Sequence, residues 1–151
     1  MNVRELTPDD CHLAFDAMNA LRPHAGDREA LVERLRRQFA QGYRLVGAFD
    51  GDAPHAFSVA GFRFIENLAW GRHCYVDDLS TLPEARGRGA ASALLRWIDA
   101  EAAREGIREV HLDSGVQPER QGAHRLYFAH GYRISSYHFS KPLEQEVGVV
   151  G

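Results

Sequence analysis

Cysteine is scarce in this sequence: Cys11 and Cys74 are the only two among 151 residues. They lie far apart and form no CxxC pair. Neither a disulfide framework nor a cysteine-held zinc site is expected, and a reducing, cytoplasmic setting is the default. Long apolar runs are missing too. None approaches the roughly 20 residues of a membrane helix, and no apolar stretch follows Met1–Leu6 as in a signal peptide. Neither sign of charge dominates: 18 basic residues stand against 21 acidic ones, a net −3. Nucleic acid is therefore not an expected partner, and the charge is too small to argue for a cationic substrate. No Ser/Pro/Gly-rich linker and no repeat divides the chain. The eight histidines show no HExxH-type spacing, so no metal is expected.

What is present suits one packed domain over 1–151, with 44% hydrophobic residues. Val3–Leu6 reads as a short strand. Thr7-Pro8-Asp9-Asp10 reads as a helix start, with Leu13, Ala17 and Leu21 at helical spacing and Pro23 as a stop. Asp27 caps a second helix carrying Leu31, Leu35 and Phe39, ended by Gly42. The period then changes to that of strands: Tyr43–Phe49, an Asp50-Gly51 hairpin turn, Ala56–Ile65, and Cys74–Leu82 stopped by Pro83. Gly87–Gly89 opens a third helix with Leu94, Leu95, Ile98 and Ala102 on one face and Gly106 as terminator. Ile107–Asp113 is the next strand, parallel to the one before it through a right-handed crossover. A helix from about Glu119 to His130 and a last strand, Tyr132–Phe139, complete the order β-α-α-β-β-β-α-β-α-β. That is an α/β (α+β) domain with a mixed sheet flanked by helices.

The most informative stretch is Arg86-Gly87-Arg88-Gly89-Ala90-Ala91-Ser92. A strand ends, a turn follows and a helix begins on small residues. First-turn N–H groups lack backbone partners, the macrodipole favours anions, and glycine lets a phosphate approach closely. Arg86 and Arg88 add charge, so a pyrophosphate suits the loop. Two other readings stand beside this one. The loop is also an ordinary helix start with solvated arginines. It also matches part of a dinucleotide-binding fingerprint, with Asp113 placed as the ribose-binding acid. Ser92 at the third glycine position, Asp77-Asp78 in the preceding strand and the antiparallel meander all weigh against the dinucleotide reading.

The stretch Arg86–Ala91 resembles the Arg/Gln-x-x-Gly-x-Gly/Ala motif of the Gcn5-related N-acetyltransferase (GNAT) superfamily. Ser92-Ala93-Leu94-Leu95 continues it as that family's helix does. Ala123-His124-Arg125-Leu126-Tyr127-Phe128-Ala129-His130-Gly131-Tyr132 is similar to its second signature, Ala-x-x-x-Tyr-x-x-x-Gly-Phe/Tyr. The order of elements from Val3 to Phe139 agrees. The resemblance implies acetyl-CoA, or a close acyl-CoA, as donor. It implies cofactor contacts along Leu79, Ser80 and Thr81 and around the loop Arg86 to Ser92. The family's usual asparagine is replaced here by Pro118-Glu119-Arg120-Gln121-Gly122, which leaves Arg120 or Gln121 as its substitute. By the resemblance Tyr127 is the acid for the departing thiolate, its phenol being protonated at neutral pH; by spacing alone it is a core residue on the helical face of Ala123.

Asp77, Asp78 and Asp113 are the candidate bases, with Asp78 and Asp113 preferred. Neighbours on a regular strand face opposite ways, so only one of Asp77 and Asp78 is expected to reach the cleft. The acceptor is expected to be an amine of a small molecule or peptide, in a pocket near Arg22–Gly26 with His24, Trp70, Tyr75 and Tyr137 as candidate walls. A homodimer is left open. The non-enzymatic alternative is an acyl-CoA-binding sensor on the same fold.

Overall fold

Five β-strands and four α-helices among the described residues position everything that follows. The structure, a computed structural model, describes residues 1–144; the remaining seven of the expected 1–151 domain lie outside the described residues. The chain divides into two compact units, Met1–Ser114 and a second beginning at Gly115.

The first unit holds β1 (Asn2–Leu6), α1 (Phe15–Leu21), α2 (Arg28–Phe39), β2 (Tyr43–Phe49), β3 (Ser58–Asn67), β4 (Gly71–Thr81), α3 (Ala90–Arg104) and β5 (Val110–Leu112). The sheet runs β1-β2-β3-β4-β5, with β1 to β4 antiparallel and β5 parallel to β4. Both faces are covered, so β2 is apolar almost throughout. Tyr43, Leu45 and Phe49 pack with Ala17, Met18, Leu31 and Leu35 of α1 and α2. Val46 and Ala48 pack with Leu94, Ile98 and Ala102 of α3. This is the alternation a two-sided sheet imposes. Asp27 caps α2 as its sequence position implies, accepting from the Ala30 N–H at 2.9 Å.

Several elements differ from their sequence reading. Thr7–Asp10 is a turn instead of a helix start. Asp10 accepts from the Thr7 N–H at 2.7 Å and pairs with Arg4 at 2.8 Å, so its carboxylate is consumed before a helix begins. A short 3-10 turn, Cys11–Ala14, leads into α1 instead. The fifth strand is shorter than Ile107–Asp113. Ile107 is spent on ending α3: its N–H reaches the Ala102 carbonyl at 2.9 Å while Gly106 bonds to Ala103, a paired helix-closing motif.

The second unit contains a 3-10 turn, Pro118–Arg120, and α4 (Gln121–Ala129). Tyr132–Phe139 is not a strand. Its unit offers no second strand among the described residues, and an extended segment without a ladder partner is not a sheet. Ile134, Tyr137 and Phe139 are 75%, 85% and 92% exposed. No helix among the described residues is long and apolar enough to cross a membrane.

Candidate active site

β4 carries the defect on which the site is built. Gly61 pairs with Asp78 and Phe62 with Val76, so Asp77 is an extra residue, a β-bulge. A bulge changes which side the following residues face. Val76 and Leu79 both belong to the α3 side, although they stand three positions apart, an odd step that would put them on opposite faces of a regular strand. The expectation that only one of Asp77 and Asp78 reaches the cleft is therefore corrected: both line one cavity of about 600 Å³ between the sheet and α1–α2.

Every other wall of that cavity belongs to the first unit. Arg22, His24, Arg34, Tyr43, Arg63 and Tyr75 are among its lining residues. Asp78 is tied on both oxygens. Arg22 Nε donates to Oδ1 at 2.9 Å and the Tyr43 hydroxyl to Oδ2 at 2.8 Å. Burial, then the Asp78 charge, pushes the Tyr43 phenol well above its usual 10. Asp77 accepts from Arg63 Nε through Oδ2 at 2.8 Å, and Arg63 also donates to Gln38 at 2.9 Å. Burial raises the Asp77 carboxyl above the ordinary 3.8, opposed by Arg63. Its Oδ1 has no hydrogen-bond donor among the described residues. Tyr43 reaches Asp78 only because Gly61 has no side chain: a Cβ there would lie 1.7 Å from the Tyr43 hydroxyl oxygen.

β5 pairs with Cys74 to Val76 and no further. Past the bulge, β4 pairs with no strand on that edge among the described residues. The Leu82 N–H donates to the Phe57 carbonyl at 2.9 Å, toward β3. By ladder alternation the Ser80 N–H also faces β3, and those of Leu79 and Thr81 point to the edge β5 has left. The side chains of this stretch are otherwise engaged. Ser80 Oγ donates to the Ala17 carbonyl at 2.6 Å, and the Thr81 hydroxyl meets Ser58 Oγ at 2.7 Å. Asp113 follows directly on the last paired residue of β5 and is exposed.

β4 leads through Pro83–Ala85 to the glycine loop. Gly87 and Gly89 both hold φ near +80°, and Gly89 is the left-handed N-cap of α3 with no side chain capping it. A 15-residue helix therefore begins on Ala90, Ala91 and Ser92 with no capping side chain at its first position. Space above both glycines is open for 4 Å. Arg86 is exposed and makes no ion pair among the described residues. Arg88 is bound by Asp50 and lies over the Phe57 ring at 4.5 Å. Of the loop's two guanidiniums, one is thus already engaged by protein. These features fit a diphosphate: outward amides, clear space and cationic flanks.

Within the second unit, burial raises the Tyr127 phenol above 10, with Arg120 pulling the other way. Its ring packs edge-on to Tyr132 at 5.8 Å. Of the aromatics expected around the acceptor, His24 and Tyr75 line the cavity. Trp70 instead stacks on His111 at 3.9 Å. Tyr137 belongs to the second unit. Sequence reasoning missed Tyr43, Arg34 and Arg63 as cavity residues. Arg63, a charge inside an apolar strand, was the one signal available. Among the described residues, no group of three or more His, Cys, Asp or Glu is placed to hold a metal.

Comparison with known proteins agrees with this architecture. The chain is 31% identical over 132 residues to an uncharacterized N-acetyltransferase, YhdJ, of Bacillus subtilis, covering 86% of this chain and 89% of that one. It is 35% identical over 68 residues to an aminoalkylphosphonate N-acetyltransferase of Salmonella typhimurium, a match spanning 45% of this chain and 43% of the Salmonella protein. A solved chain from Agrobacterium tumefaciens, assigned as an acetyltransferase, superimposes with a TM-score of 0.79 at 19% identity, over 95% of this chain and all of that one. The profile of the Acetyltransferase (GNAT) family matches residues 11–132. The chain belongs to that family.

Proposed function

We propose that this acetyltransferase moves an acetyl group from acetyl-CoA to a primary amine of a small molecule or peptide, by direct attack with both substrates bound. The observation that carries the reading is the pairing of a glycine-capped, uncapped-by-side-chain start of α3 with the open edge of β4. The amides of Ala90, Ala91 and Ser92, with Gly87, Gly89 and Arg86, would hold the diphosphate, and Arg88 would join once released from Asp50. The Leu79 and Thr81 amides would receive the pantetheine and the thioester oxygen. Acetyl-CoA supplies an activated carbonyl. The amine nitrogen loses one ammonium proton before attack, bonds to the carbonyl carbon and then loses a second proton; the C–S bond breaks and the thiolate takes a proton.

Fixed amides aimed at a carbonyl oxygen stabilise the charge that develops there, one such donor being worth about 10²–10³ in rate. In this proposal Asp77 takes the ammonium proton, because it offers an unbonded oxygen and a raised pKa. Asp78 is committed to Arg22 and Tyr43 and acts as a positioning residue. Asp113 is a second acid on the proton's path, beside the point where the strands part. Tyr127 supplies the thiolate's proton, its raised pKa keeping the phenol protonated at neutral pH. Arg120 takes the place of the family's asparagine on the cofactor. The Salmonella relative, by its name, acetylates an amine joined to a phosphonate, which is consistent with a small amine acceptor.

The test is calorimetry with acetyl-CoA, followed by free-thiol release against a panel of amines. Micromolar binding with amine-dependent thiol release is expected. Binding without release from any amine would favour a sensor, and no binding at all would end the reading.

A further inference from the structure

Three guanidiniums, those of Arg22, Arg34 and Arg63, line the cavity against two carboxylates, Asp77 and Asp78. Each carboxylate already has its own arginine: Asp78 pairs with Arg22 at 2.9 Å and Asp77 with Arg63 at 2.8 Å. Arg34 is left over. It is exposed on α2 and makes no hydrogen bond or ion pair among the described residues. Its helical neighbours three and four residues away are Ala30, Leu31, Arg37 and Gln38, none of them acidic, so the helix cannot neutralise it. Arg37 is paired with Glu33 instead. The cavity therefore presents an unmatched cation at its α2 wall and, across from it on β4, one unbonded carboxylate oxygen on Asp77.

From this polarity we infer that the acceptor is a small zwitterion: an amine that also carries a carboxylate, phosphonate or phosphate. The deduction rests on the amine-acetylation reading and names its substrate class. Asp77 receives the ammonium end. Arg34 receives the acidic end, through the planar, two-pronged donor set that suits such anions. A cavity of about 600 Å³ is of small-molecule size. A diamine or polyamine would leave Arg34 facing a second cation, which like charges disfavour.

The experiment compares matched acceptors with the full chain and saturating acetyl-CoA: β-alanine, 2-aminoethylphosphonate, β-alaninamide and 1,3-diaminopropane. The acidic amines are expected to exceed the amide and the diamine by at least tenfold in kcat/KM. The carboxylate and phosphonate arms distinguish the two acid groups. Arg34→Met should reduce the ratio of acidic to neutral amine about tenfold, mainly through KM, and Arg34→Lys should restore part of it. Arg37→Met, on the same helix and outside the cavity lining, should leave the ratio unchanged. The inference is overturned if amide or diamine is used as well as the acids, or if Arg34→Met leaves the ratio intact. It is also overturned if Arg34→Met weakens acetyl-CoA binding, since the guanidinium would then serve the donor. Failure of the parent reading looks different: no acetyl-CoA uptake by calorimetry in the unaltered protein.

Discussion

Replacing Gly61 with alanine should unseat Tyr43. The new methyl would sit 1.7 Å from the tyrosine oxygen, 2.2 Å from Cζ and 2.6 Å from Cε1. Tyr43 is 2% exposed and packed in the α1–α2 core, so its ring has nowhere near to go. Turning it breaks the 2.8 Å bond to Asp78. A hydrogen bond to a charged group contributes about 1.5–3 kcal/mol, and forcing a ring out of a packed site costs about 1–3 kcal/mol. The expected loss is about 2.5–6 kcal/mol, against a total stability of roughly 5–15 kcal/mol for an ordinary domain. Urea denaturation of four proteins closes a double-mutant cycle: unaltered, Gly61→Ala, Tyr43→Leu, and the two together. Leucine stops short of the ring's far edge. In that background alanine should therefore be neutral or stabilising by about 0.5–1 kcal/mol, as alanine is over glycine inside a strand. The sign of the Gly61→Ala effect should thus reverse with the identity of residue 43. A cost under about 1 kcal/mol with Tyr43 present would refute the steric argument.

Gly89→Glu should weaken acetyl-CoA binding at least tenfold by calorimetry, because it puts a side chain on a φ near +80° and an anion where the diphosphate belongs; an unchanged Kd would count against the loop as the cofactor site. The kcat/KM profile should rise with pH through an Asp77 pKa above 3.8, since the base acts only when deprotonated. Asp77→Asn should remove that acidic limb and lower the rate about 10²-fold or more. Tyr127→Phe should instead lower kcat and remove a fall above pH 10, where the buried phenol finally loses its proton; a profile unchanged by both variants would remove these residues from the chemistry. Neither Cys11 nor Cys74 should react with a disulfide reagent at pH 8 in the native state. Both are fully buried, and burial pushes the Cys74 thiol up to about 12. That leaves a thiolate fraction on the order of 10⁻⁴. Prompt labelling before denaturant is added would contradict the burial.

The glycine loop, the crossover between β4 and β5 and the cap at Asp27 were legible because each is set by residues within one turn or strand end. The cavity was not. Arg22 meets Asp78 across 56 positions, and Tyr43 meets it across 35, distances over which no periodicity speaks. The bulge was hidden for another reason. An Asp-Asp pair in an apolar strand signals an irregularity, but which partner residue goes unmatched depends on β3, through Gly61. The final strand was misread because Tyr132–Phe139 has strand-forming side chains, while strand formation needs a neighbour that its own unit does not offer among the described residues. Thr7 and Asp10 carried helix-start chemistry and used it in a tight turn.

The unmatched residue in β4 has a consequence for how this strand tolerates change. Deleting Asp77 would bring the ladder into regular step with every face kept, because Asp78, Leu79 and Ser80 already stand opposite Gly61, Ala60 and Val59. What would go is the kink in the strand and the carboxylate that holds Arg63. Deleting Leu79 instead would put Asp78 or Ser80 opposite Ala60, on the apolar side that packs against α3. The strand should therefore tolerate a lost residue at the bulge far better than two places further on.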